Sequence, residues 1–249
     1  MKKSIFIQSL VALSFALLSC NATAATLGTD NGGNYGGNWI SSTNFGTGFG
    51  NWDLWTTGTD DNNVAGHFIS SGQFGMYANG STSSRTSQAN AQRLFDGGAL
   101  TAGQSFLIEL GVDFRNGFKG IDLFSGAFQM VWNFNVGGDT YRPGGADLSE
   151  LVAPYVANSV FSIRANQLTS STFEVLVSRG GSNLYTSSVI DGTVNGFKLY
   201  IGETTGGGDA NNLLANNLQI IPEPSTPLLM GLGLAGLAVL RLRRVRKNG

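Results

Sequence analysis

Apolar residues recur at every second position through most of the middle of this chain, and that period leaves few folds open. In 106–114, Phe106, Ile108, Leu110, Val112 and Phe114 fall on one side, with Glu109 and Asp113 on the other. In 127–136, the set Phe128, Met130, Trp132, Phe134 and Val136 opposes Gln129, Asn133 and Asn135. Phe173, Val175 and Val177 alternate with Glu174 and Ser178, and Phe197, Leu199 and Ile201 with Lys198 and Gly202. A strand patterned this way buries one face only, so several of them predict two antiparallel sheets packed through their apolar faces. Shorter runs at 67–70, 74–78, 93–95, 161–165 and 217–221 add strands. Asp96-Gly97, Asn116-Gly117, Asp191-Gly192 and Asn195-Gly196 mark turns between them. The expectation is an all-β, single two-sheet antiparallel sandwich over 51–221, with roughly a dozen strands. Only 146–157, interrupted by Pro154, reads as a short helix or a long loop.

Residues 26–50 differ in composition. Gly and Asn dominate, with Tyr35, Trp39, Phe45 and Phe49 interleaved, as in an arm laid over a sandwich or a mobile leader. Cys20 is the sole cysteine, so the body has no disulfide and its stability must come from a core. The 196 residues from Thr26 to Ile221 suffice for one. This body holds 8 Lys and Arg against 15 Asp and Glu, a net of −7 that repels phosphates and excludes nucleic acid as a partner.

Both ends read as addresses. Lys2 and Lys3, the apolar stretch 5–18 and the small residues Ala22 and Ala24 make 1–25 a signal peptide. It implies the Sec machinery and a signal peptidase cutting after Ala24 or Ala25. Leu17-Leu18-Ser19-Cys20 is a rival reading, a lipoprotein box with Cys20 lipidated. At the other end, Pro222 and Pro224 keep Glu223 out of any helix. The apolar run 227–240 would be about 21 Å long as a helix, shorter than the ~30 Å hydrocarbon core of a bilayer. It carries no charge and abuts Arg241, Arg243, Arg244, Arg246 and Lys247, whose long side chains extend a short span and hold that end in the cytoplasm. The reading is a short transmembrane helix over 226–240 with a basic tail at 241–249.

Pro222-Glu223-Pro224, the run 228–240 and the cations 241–247 together resemble the PEP-CTERM sorting signal of Gram-negative bacteria. The resemblance implies a partner, an exosortase that recognises the Pro-Glu-Pro and cuts nearby, and a host that exports polysaccharide. It also implies an inner-membrane intermediate with the body in the periplasm, then a cell-surface or matrix location. In the body, the blocks 45–54, 74–78, 93–95 and 100–106 resemble the lectin-like, concanavalin-like or jelly-roll sandwiches that precede such tails.

The body is poor in chemistry. His67 is the only histidine, and no Gly-x-Ser-x-Gly elbow accompanies it. Glu109 and Asp113 share a strand face but would lie roughly 13 Å apart, too far for a glycosidase pair. Asp60, Asp61 and Asp209 sit in Asn-rich loops with the hard oxygen donors calcium takes, though neither loop matches an EF-hand, and no other cofactor is implied. For glycans, Trp52 and Trp55 lead, followed by Tyr35, Trp39 and Tyr77. The Trp52–Trp55 spacing puts the two rings on opposite faces, so at least one belongs to the core. The function that follows is a non-catalytic, exported surface or matrix protein, its sandwich associating with exopolysaccharide. The alternatives are a glycan-active hydrolase with an atypical carboxylate pair, tested at Glu109 and Glu174, and a structural subunit that self-assembles through strand edges.

Overall fold

The computed structural model describes residues 26–59, 64–82, 85–126, 128–138, 141–145, 153–204 and 211–222. The signal peptide, the loop acids and the tail beyond Pro222 lie outside the described residues. The strands are β1 (Gly28–Asp30), β2 (Asp53–Thr57), β3 (Val64–Ser70), β4 (Gln73–Asn79), β5 (Ser81–Thr82), β6 (Arg85–Thr86), β7 (Gln88–Leu94) and β8 (Ser105–Val112). They continue with β9 (Phe118–Ser125), β10 (Gln129–Asn135), β11 (Arg142–Gly145), β12 (Ser159–Gln167), β13 (Thr172–Arg179), β14 (Ser182–Thr186), β15 (Ile190–Asp191), β16 (Gly196–Gly202) and β17 (Leu213–Ile221). Among the described residues the one helix is a 3-10 turn, Gly32–Tyr35, and none is long and apolar enough to cross a membrane.

Two antiparallel sheets form a sandwich, as the alternation requires. One runs β14-β13-β12-β8-β17-β4-β3, with β1 on β17 and β15 on β13; the other runs β11-β10-β9-β16-β7-β2. The inward faces supply one core, in which Phe106, Ile108, Leu110, Phe134, Phe161, Phe173, Val175 and Phe197 are fully buried. The last strand is central: β17 pairs with β8 along one side, and with β4 and then β1 along the other. Its ladder shifts register between Asn216 and Gln219, where Asn217 takes a φ of 52°. That bulge separates the stretch facing β4 from the stretch facing β1.

Residues 26–50, distinct in composition, contribute a strand and three core aromatics, Tyr35, Trp39 and Phe49. A buried ion pair fixes them. Asp30 on β1 and Arg93 on β7 belong to opposite sheets and meet at 2.5 Å, both side chains fully buried. Asp30 also accepts from Tyr35 Oη (2.7 Å), Asn34 Nδ2 (3.0 Å) and the Asn31 amide (2.8 Å). Arg93 donates further to the Gly50 carbonyl and Asn44 Oδ1, and its guanidinium lies over the rings of Phe49 and Trp52.

Three residues assigned to inward rows are exposed instead. Strand β8 ends at Val112, so Phe114 lies past it in the following bend. Phe128 sits in the β9–β10 turn with φ 60°. Met130 precedes a bulge that shifts the register before Trp132, which turns Met130 outward while Trp132, Phe134 and Val136 stay buried. Of 146–157, residues 146–152 lie outside the described residues, and 153–158 form no helix.

A second buried cation lies at the end of the sandwich where β17 begins. Lys119 points inward and donates to the carbonyls of Phe114 (2.9 Å) and Asn211 (2.7 Å). Burial lowers its pKa to about 8, partly opposed by Asp113.

Two outcomes follow. Arg93→Met strands the Asp30 carboxylate and should cost about 3–5 kcal/mol in urea unfolding, while adding Asp30→Asn should recover part of it. A loss below about 1 kcal/mol would mean that the pair is dispensable. For Lys119, the unfolded chain binds a proton between pH 8 and its ordinary 10.5 that the folded chain does not. Stability should therefore rise from about pH 8 to 9.5, and Lys119→Met should flatten that rise.

Candidate functional site

Alternation leaves each sheet an outward face, and that of the six-stranded sheet gathers polar and aromatic side chains. Cα register defines two adjacent rows across its strands. The first is Asp53, Gln92, Lys198, Asp122 and Asn133, from β2, β7, β16, β9 and β10. The second is Trp55, Asn90, Tyr200, Gly120 and Asn135. Inward neighbours such as Leu54, Ala91, Leu199 and Ile121 hold these strands to the core, which turns every alternate residue outward.

The side chains are mutually bonded. Lys198 Nζ lies 2.7 Å from Asp122 Oδ2, and Asn133 Nδ2 donates to Asp122 Oδ1 (2.5 Å) and Tyr200 Oη (2.8 Å). Gln92 Nε2 donates to Asp53 Oδ2 at 2.9 Å. Burial raises the Tyr200 phenol well above its ordinary pKa, against the hydrogen bond from Asn133. The stability it carries is therefore present below about pH 10 and lost as pH rises beyond it. Two glycines make room for rings. A Cβ on Gly120 would collide with the Phe134 carbonyl oxygen and stand 2.8 Å from Tyr200 Oη; one on Gly202 would collide with the Phe118 ring.

Among the described residues, the two carboxylates in these rows are not spaced as a hydrolytic pair. Asp53 and Asp122 are three strand spacings apart, roughly 14 Å, beyond the ~5–9.5 Å that glycosidases use. Glu109 and Glu174 lie on the outward face of the other sheet, and Glu174 is bonded to Asn166 Nδ2 at 3.0 Å. His67 points inward, 2.8 Å from the Asn90 carbonyl and edge-on to Trp39, and burial lowers its pKa. It is a satisfied core position.

The aromatic candidates separate. Trp52 is 1% exposed and donates from Nε1 to Tyr35 Oη (3.1 Å), so it has no free ring face for a sugar. Tyr35 and Trp39 are core as well. Trp55 is half-buried on the polar face, and Tyr77 is half-buried on the outward face of the other sheet. Asp60, Asp61 and Asp209 lie outside the described residues, and among those described no three His, Cys, Asp or Glu side chains group as a metal site. Lys198, Asp122, Asn133 and Tyr200 were not singled out as a site in the sequence. The signal available was their shared outward phase in β9, β10 and β16.

Pro222 follows β17 directly, and Glu223, Pro224 and Arg241–Lys247 lie outside the described residues. Residues 221–244 match the model of the PEP-CTERM protein-sorting motif. The chain carries a PEP-CTERM sorting motif. No curated protein matches it in sequence. Among solved structures, a sialidase is similar at 11% identity and TM-score 0.45, covering 69% of this chain and 17% of its own, so this chain spans about a sixth of its length. The Emp47p carbohydrate recognition domain is similar at 10% identity and TM-score 0.42, covering 82% and 99%. An alginate lyase from Corynebacterium sp. is similar at 17% identity and TM-score 0.37, covering 55% and 67%.

Gly120→Ala should cost about 1–3 kcal/mol by overpacking. Gly97→Ala, with open space at its Cβ, should be silent in the same urea titration. Equal midpoints would show that Gly120 does not hold the Tyr200 position.

Proposed function

We propose that this chain is an exosortase-sorted, exported surface or matrix protein whose non-catalytic sandwich binds extracellular polysaccharide on the outward face of its six-stranded sheet. The observation that carries the reading is the double row on that face. Amide and charged groups of Asp53, Gln92, Lys198 and Asn133 lie beside the half-buried ring of Trp55, while Asp122 and Tyr200, buried in the same rows, hold Lys198 and Asn133 by an ion pair and a hydrogen bond. A glycan needs both parts, since hydroxyls exchange hydrogen bonds with such groups while the apolar face of a sugar ring packs on an aromatic side chain. The ~14 Å between Asp53 and Asp122, and the pairing of Asp122 with Lys198, support binding over hydrolysis.

The sorting motif supports the route. Its Pro-Glu-Pro would be read by an exosortase, its apolar run held in the inner membrane, and its cations retained in the cytoplasm. Calcium binding at Asp60, Asp61 and Asp209 is a separate part of the proposal, resting on their oxygen donors alone.

Intact mass of the protein from exosortase-positive cells should show a C-terminus shortened near Pro222–Pro224, and from exosortase-deficient cells a full tail. An unchanged C-terminus in both would sink the sorting reading. Trp55→Ala should weaken binding to the host's exopolysaccharide about tenfold, the loss typical of an aromatic anchor. Unchanged affinity would place the glycan elsewhere.

A further inference from the structure

The sorting motif starts at the edge of the sandwich, because β17 is still paired at Ile221 and the motif match begins there. From Pro222 to Leu228, where the apolar run starts, six residue steps span at most about 20 Å. An inserted tail therefore holds one end of the sandwich close to the bilayer.

Register identifies that end. Ile221 pairs with Ser105, and Asn166 pairs with Ser105 from the other side, which brings the β12–β13 turn there. Residues 192–195 tie this turn to the β9–β10 hairpin of the other sheet. The Gly192 amide donates to the Ser171 carbonyl (2.7 Å), the Thr193 amide to Ser125 Oγ (3.4 Å) and Asn195 Nδ2 to the Gly126 carbonyl (2.5 Å). The Leu100 amide joins in through the Val194 carbonyl, at 2.8 Å. The result is a cross-braced platform of loops.

The platform's tips are apolar. Leu27, Phe128, Leu168 and Val189 are exposed on it, and Met130, two residues after Phe128, is exposed as well. Segments 95–105, 125–129, 166–173 and 187–196 contain no Lys or Arg and only two acids, Asp96 and Asp191. The opposite end is the charged one, with Asp113, Arg115, Lys119 and Glu203.

We propose that this loop platform docks on the lipid surface while the tail is inserted, with Leu168, Val189, Phe128 and Leu27 entering the interfacial region. The inference rests on the tail spanning the membrane. The short tether selects the bilayer as the occupant, and loop tips without Lys or Arg make the contact chiefly apolar, the cation nearest them being Arg164, whose guanidinium is bonded to Ser105 Oγ at 3.1 Å. Strands then stand along the membrane normal, so the exposed and half-buried residues of the six-stranded sheet's polar face, Asp53, Trp55, Gln92, Lys198 and Asn133, point away from the bilayer before processing.

The body lacks cysteine, so single labels are available in a Cys20→Ser background. The full chain would be reconstituted in lipid nanodiscs carrying a lipid-attached quencher, with a fluorophore at Leu168→Cys, Val189→Cys, Val156→Cys or Ala235→Cys. Quenching at 168 and 189 should be at least twofold greater than at 156, on the opposite end, and unchanged by high salt. Strong quenching at 235 with equal, weak quenching at 168, 189 and 156 would overturn docking and leave the anchored tail intact. No quenching at 235 would overturn the spanning tail and the docking with it.

Discussion

Between the two sheets, where side-chain exposure falls to zero, the carboxylate of Asp30 meets the guanidinium of Arg93. Removing either charge leaves the other buried without its counter-charge, which is why such a pair constrains a fold more than it stabilises it. The other hydrogen bonds of the two groups reach into residues 31–50: Asn31, Asn34, Tyr35, Asn44 and Gly50. Trp52 and Phe49 close over the guanidinium. A Gly- and Asn-rich segment, poor in apolar mass, is thereby held against the core by polar contacts. The two sheets are locked at the point where β1 reaches β17.

That lock is illegible in the sequence, for a physical reason. Arg93 occupies an inward position in β7 between Ala91 and Phe95, and alternation assigns a charged residue there to the outside. Its partner is 63 residues away, in a segment with no period at all. By contrast, the rows Phe106–Val112 and Phe197–Ile201 read correctly because their inward positions are buried along the whole strand. Phe128 and Met130 failed because a turn with positive φ and a bulge change the phase locally, and period two carries no record of either.

The candidate site was half legible. Lys198 and Asn133 had the outward phase in their own strands, and Trp55 stood apart from Trp52 by strand parity. Their convergence depends on the order β2-β7-β16-β9-β10, which joins strands distant in sequence. Alternation gives each strand a face but not a neighbour. The rows across the sheet therefore had to come from the structure.

Sorting tail and body also differ electrically. The tail's five cations mask a body of net −7, and the loop segments of the platform nearest the tail contain no Lys or Arg. The polar face carries its one lysine already engaged by Asp122, so it is suited to hydroxyl-rich glycans more than to polyanions. The most direct test is amide chemical-shift mapping of the labelled body, 26–221, titrated with the host's exopolysaccharide. Binding should move Trp55, Asn90, Gln92, Asn133 and Lys198 together and leave Glu109, Ser162 and Glu174 on the opposite sheet still. Shifts confined to that opposite sheet, or none at saturating glycan, would contradict the account.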